Sequence, residues 1–161
     1  MRRSLLVPVA VLVTLLAAVG AVQAAKPGLP AGLGYNANTG FDTVTLDSGD
    51  VQTVIASLTL PVSSHFMVSA TVDVFNQDQG TETGITCQIL HGDTQVDVTA
   101  NTIPPATADH NTGLRYALSG AIDRASDAGG LSLQLVCSSN NGGFASDAQL
   151  NAISVSALTV Q

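Results

Sequence analysis

The sequence contains no tryptophan, a single lysine (Lys26) and only two cysteines, and aromatic residues make up 4% of its 161 positions. Each scarcity removes a class of function. Without clustered Lys or Arg there is nothing to offset the repulsion between an acidic chain and a phosphate backbone, so nucleic acid is excluded as a partner. Without tryptophan there is no such aromatic to pack on a cysteine pair, as an immunoglobulin domain requires, and no broad platform for the apolar face of a sugar, which argues against a typical carbohydrate module but leaves open a lectin that binds through Asp, Asn and calcium. Gly-x-Ser-x-Gly is absent, and Ser-x-x-Lys cannot occur downstream of Lys26, so neither common form of activated serine is available. No Cys-x-x-Cys or His ligand spacing accompanies the cysteines, which argues against zinc.

Apolar residues are plentiful at one end. Arg2 and Arg3 precede an uncharged apolar run from Leu5 to Val22, closed by Val22-Gln23-Ala24. A short basic start, an apolar stretch and small residues at the first and third positions before the break are the features of a cleaved secretory signal. Residues 1–24 are expected to be that signal, with Pro8 weighing against the alternative of a retained spanning helix. The location expected is secreted or periplasmic. Three basic residues (Lys26, Arg115, Arg124) then face twelve acidic ones, a net charge of −9, and no membrane contact is expected after cleavage.

Residues 25–40 are rich in Gly and Pro and read as a flexible leader. Residues 41–161 show no sustained helical periodicity. They offer about eight segments of alternating polarity separated by turn residues, which predicts an all-β fold: a two-sheet antiparallel sandwich of jelly-roll type. The most regular segment is His65 to Phe75, where Phe66, Val68, Ala70, Val72 and Val74 share one face. Val54, Ala56, Leu58 and Leu60 form a second alternation. The last segment, from Ala148, slips phase at Ala152-Ile153, which predicts a bulge there. Outward positions are mostly Ser, Thr, Gln and Asp, which excludes a membrane barrel.

Cys87 and Cys137 each fall on the apolar face of a short strand, Ile85 to Leu90 and Leu131 to Ser138. In an exported chain this pattern predicts a disulfide, the alternative being two buried free thiols. The best ion-binding candidate is the connection Asn76 to Glu82, where oxygen donors at Asn76, Asp78 and Glu82 surround Gly80 in the manner of half a calcium loop. His65, His91 and His110 lie in separate segments and build no catalytic group. Asp93 and Asp97 read as a solvated acidic edge rather than a glycosidase pair. The chain is therefore expected to be a non-catalytic structural or interaction domain, with an outward contact at Met67 and Phe75 for oligomerisation. A carbohydrate-binding or calcium-dependent ligand module is the alternative; the protein or glycan ligand is not specified by any motif.

The successions Val54-Ile55-Ala56-Ser57-Leu58-Thr59-Leu60-Pro61 and Phe66-Met67-Val68-Ser69-Ala70-Thr71-Val72 resemble those of small exported bacterial domains. So do Ile85-Thr86-Cys87, Leu133-Gln134-Leu135-Val136-Cys137 and Leu150-Asn151-Ala152-Ile153-Ser154-Val155. Those domains are similar to the tumour-necrosis-factor-like and complement-globular-head jelly rolls. The resemblance covers roughly Val54 to Leu158 and implies a jelly roll, secretion and a homotrimer. It carries no catalytic residue. The chain departs from it in having no collagen-like stalk and in replacing the usual turn after Leu-Pro with Val62-Ser63-Ser64-His65.

Overall fold

A computed structural model describes residues 33–61, 65–108, 110–123 and 131–156. The expected signal peptide, Lys26, Arg124 and the last five residues lie outside the described residues. Nine strands are present among the described residues: β1 (Gly34–Asn38), β2 (Val44–Leu46), β3 (Thr53–Leu60), β4 (His65–Asn76), β5 (Thr83–His91), β6 (Thr94–Ile103), β7 (Thr112–Asp123), β8 (Leu131–Ser139) and β9 (Gly143–Val155).

The architecture follows from one antiparallel ribbon. The chain doubles back at Gly92-Asp93, so that β5 pairs β6, β4 pairs β7, β3 pairs β8, and β1 and β2 together pair β9. Rolling this ribbon brings β4 against β9 and β5 against β8. Two sheets result, β1-β9-β4-β7 (with β2 also on β9) and β3-β8-β5-β6. That order is a jelly roll.

Alternation decides which faces meet. On β4 the five apolar residues from Phe66 to Val74 are buried, as expected, and face Ile85, Cys87 and Ile89 of β5 and Leu133, Leu135 and Cys137 of β8 across a single core. Phe66 is the largest side chain that is fully enclosed, and Tyr35 of β1 meets it edge-on with centroids 5.9 Å apart. β1 falls inside the stretch expected to be leader, so the folded part begins before residue 41. Its Tyr35 and Ala37 pack on the core, and at its start Leu33 and Ser154 exchange hydrogen bonds of 3.0 and 2.9 Å. Strand β6 runs to Ile103, and β9 starts at Gly143, ahead of Ala148 where the last alternating segment was expected to begin.

Two bulges correct the expected phases. On β3, Val54 pairs Val136 and Ala56 pairs Leu135, which leaves Ile55 as the extra residue. Ile55 and Ala56 are therefore both buried and Val54 is exposed, whereas simple alternation placed Ile55 outward. On β9 the extra residue lies between Ser146 and Gln149, with Asp147 at φ 46°, and not at Ala152-Ile153. There the alternation continues unbroken: Ala152 is buried, Ile153 is exposed and Ser154 is buried.

One lateral seam of the sandwich is closed by side chains. Asp97 on β6 accepts hydrogen bonds from the N–H of Ser119 on β7 (2.8 Å) and of Val98 (2.9 Å). Beside it, Val96 Cγ1 fills the space that a Cβ on Gly120 would occupy, at 2.4 Å, so a larger residue there would displace the Val96 side chain. Both devices cover strand edges that would otherwise offer free N–H groups to another chain.

Candidate functional site

Asn76, the first of the three calcium candidates, ends β4 and is fully buried. Its Nδ2 donates to Thr81 O (2.8 Å), Pro104 O (3.1 Å) and Ile103 O (3.3 Å), and its Oδ1 accepts from the N–H of Asp78 (2.8 Å). The amide thus ties the start of the loop to its far side and to the end of β6. Asp78 Oδ1 accepts from the N–H of Gly80 (2.7 Å), closing a second local turn. Glu82 is exposed, and its main-chain carbonyl accepts from Asn141 Nδ2 (2.8 Å). The Asn76 amide and the Oδ1 of Asp78 are taken up by backbone groups of the loop and of the end of β6. Among the described residues no group of three or more His, Cys, Asp or Glu is placed to hold a metal ion.

The cysteines are joined. Cys87 and Cys137 are direct register partners on the neighbouring strands β5 and β8, with Cα atoms 4.1 Å apart and a disulfide between them, and both are buried in the core. The histidines stand apart: His65 contacts Asp123 (3.0 Å), His91 ends β5 and His110 lies in the loop before β7. Asp93 sits in the β5–β6 turn, while Asp97 is held by Ser119. The extra residue Val96 in β6 breaks the shared face that their spacing suggested.

Tyr116 on β7 reaches across the core to donate to Ile85 O on β5 (2.9 Å). Burial pushes its phenol above the ordinary value of 10.0, against a smaller opposing pull from Asn101. Below pH 10 the folded and unfolded chains both carry the neutral phenol and the full contribution is present. Above it the unfolded chain loses its proton first, so stability falls until the folded phenol ionises too. Tyr116→Phe is expected to cost about 1 kcal/mol at neutral pH through the lost hydrogen bond and to flatten the alkaline decline. Denaturant midpoints measured at neutral pH and at about pH 11 check both effects.

The outer face of the first sheet is built from uncharged side chains. Register places Gly34, Ile153, Met67 and Ala121 in one row across four strands. Asn36, Asn151, Ser69 and Ser119 form the next, and Asn38, Gln149, Thr71 and Ala117 the third. Met67 and Ile153 are half exposed, at 48% and 50%, and line a depression of about 220 Å³ with Ser69, Ser119 and Asn151. Charge is confined to the ends of this array. Arg115 lies between Asp73 (3.5 Å) and Asp147 (3.3 Å) at one end, and His65 and Asp123 lie at the other. Phe75, expected to share a patch with Met67, is instead stacked on Phe144 beyond the Arg115 cluster, with centroids 4.8 Å apart.

No protein-family model matches this sequence, and no curated protein matches it. Solved structures do match its shape. Over 75% of this chain and 32% of the other, the fold is similar to the structure of infectious bursal disease virus Gx strain, with a TM-score of 0.50 and 14% identity. A mutant VP2 protein of infectious bursal disease virus in derived T=1 particles matches over 76% of this chain and 32% of the other, with a TM-score of 0.51 and 13% identity. The chain spans about a third of the length of these proteins. The likeness is one of fold: a jelly-roll sandwich.

Proposed function

We propose that this chain is an exported, non-enzymatic structural or interaction domain that works in several copies, joined through the outer face of the β1-β9-β4-β7 sheet. The observation that carries this reading is the neutral twelve-residue array. Copies of a chain with a net charge of −9 after signal removal repel one another over most approaches. The array is a face on which two copies can meet without burying like charges. Strand spacing and rise make it about 20 Å by about 17 Å, less than half of the ~800 Å² per partner in a stable interface. It therefore supplies the centre of a contact, with the Phe75–Phe144 stack or the β1 edge as its rim.

Three further points support the reading. The buried disulfide is a feature of proteins made in oxidising compartments. The strand motifs resemble tumour-necrosis-factor-like and complement-globular-head domains, which implies secretion and a trimer. The VP2 protein similar in fold is one that forms particles.

Light scattering on the domain from residue 25 onward is expected to give a mass that is a multiple of one chain. Ser69→Arg, which places a charge at the centre of the array without touching the core, is expected to return it to a single chain. A monomeric parent at high concentration overturns the assembly reading.

A further inference from the structure

At one end of the sandwich the β2–β3, β4–β5 and β8–β9 connections converge on an open cleft of about 420 Å³, lined by Thr45, Asp47, Ser48, Gln77, Asp78, Asn141 and the Gly142-Gly143 backbone. From this geometry we infer that the cleft is a binding site for a neutral polyhydroxyl ligand, the terminal unit of a glycan or polysaccharide. The inference stands independently of the assembly face. It rests on how the walls are held, on what lines them and on what does not.

The walls are fixed before any ligand arrives. The β2–β3 turn is anchored by Gly49 N–H on Asn140 O (3.0 Å) and Asp50 N–H on Ser139 O (2.8 Å). The β8–β9 turn is anchored by Asn141 on Glu82 O, by Ser139 Oγ on Gly142 O (2.8 Å) and by Asn140 Oδ1 on the N–H of Gly84 (2.8 Å). The Asn76 amide and the bond from Ala106 N–H to Asp78 O (2.7 Å) hold the third wall. Such preorganisation lowers the cost of ordering on binding. Gly142 (φ 89°) and Gly143 (φ 156°) leave the floor as bare backbone. A Cβ on Gly143 would come within 2.6 Å of Phe75 O, and one on Gly142 within 3.6 Å of Leu46 O.

The lining selects the ligand. No Lys, Arg or His is among the lining residues, while Asp47 and Asp78 are, so an anion is repelled. No aromatic lines the cleft, so a planar ring finds no stacking partner. A lone cation would use oxygen acceptors only and would gain nothing from the Gln77 amide N–H groups. A hydroxyl group uses both kinds of atom. It donates to the Asp47 or Asp78 carboxylate in a charge-assisted bond and accepts from Gln77, Ser48 or Thr45. The cleft is open to solvent, which suits the end of a chain rather than an engulfed small molecule. It is large enough for one or two sugar units by the usual range of ligand pockets.

The test is titration of the isotope-labelled domain with glucose, galactose, mannose and N-acetylglucosamine, followed by amide resonances, together with a glycan array probed with and without chelator. Chelator-independent binding that moves the Gly142 and Gly143 resonances is expected. Asp47→Asn is expected to weaken it roughly tenfold to hundredfold without changing the thermal midpoint, because Asp47 is exposed and outside the core. Asp78→Asn, which keeps the acceptor that holds Gly80, is expected to act in the same direction. Silence toward every sugar at millimolar concentration overturns the inference. So does binding that persists in both variants, or binding that disappears with chelator, which would assign the cleft to a cation instead.

Discussion

Asn76→Asp, a change of one NH₂ group to an oxygen, is expected to destabilise the protein by about 3–5 kcal/mol, the size of effect seen when a buried charge is left without a partner. The amide nitrogen faces the carbonyl oxygens of Thr81, Ile103 and Pro104 from within a fully buried site. A carboxylate oxygen there meets three like partial charges and finds no cation. The group must then stay protonated, which costs free energy at neutral pH, or leave the site and strand the three carbonyls. The substitution also separates two roles for this loop. A calcium ligand would become a stronger one on conversion to carboxylate, and calcium would raise the unfolding midpoint of the variant. The hydrogen-bond geometry leads to the opposite expectation: a lowered midpoint that calcium does not restore. Thermal unfolding of parent and variant, each with calcium and with chelator, checks this, and a calcium-stabilised variant would support the metal loop instead.

Much of the fold was legible because β4 obeys period two without interruption. On β4 every second residue from Phe66 to Val74 is apolar, and all five are buried. Both cysteines keep phase with their apolar neighbours, and this made a disulfide readable before any pairing was known. The bulges were not readable in the same way. A local doubling of apolar residues has two solutions: an inserted residue that turns both inward, or a continued alternation that leaves one outside. Ile55-Ala56 took the first and Ala152-Ile153 the second. The choice is made by the partner strand. Register with Val136 and Leu135 forces the first, and the bonds of Ser154 to Leu33 favour the second. β1 was missed for a related reason, since Gly34-Tyr35-Asn36-Ala37-Asn38 has little intrinsic strand preference and owes its form to β9.

The candidate sites divide along the same line. That residues 76–82 form a tight polar loop follows from their own chemistry, and the Asn76–Asp78–Gly80 turns confirm it. The direction of the Asn76 amide does not, because Ile103 and Pro104, which decide it, lie 27 and 28 residues further along. The neutral array and the cleft were equally invisible. Each row of the array takes one residue from each of four strands, and the cleft takes its carboxylates from two connections that the ribbon brings together only when rolled. Met67 does lie in the array, but its neighbour in space is Ile153, not Phe75.

Reduction of Cys87–Cys137 is expected to cost about 4 kcal/mol, the loop-closure value for a sequence separation of 50 residues. For a domain of this size that corresponds to a fall of roughly 15 °C in the thermal midpoint. The bond lies inside the core between two neighbouring strands of the β3-β8-β5-β6 sheet, and two thiols occupy nearly the same volume as small apolar groups. Native packing therefore survives reduction, and the loss comes from the freed unfolded chain. That origin has its own signature. The unfolded chain exposes more surface once the link is cut, so the denaturant slope steepens as the midpoint falls. Urea unfolding with and without reductant, with mass spectrometry to count the thiols, reads both quantities. An unchanged midpoint would overturn the entropic account, and a lowered midpoint with an unchanged slope would move the loss to the folded state. With total stabilities of 5–15 kcal/mol the usual range, a 4 kcal/mol deficit brings such a domain close to unfolding at growth temperature. The same bond that joins β5 to β8 would thus make the fold depend on staying oxidised.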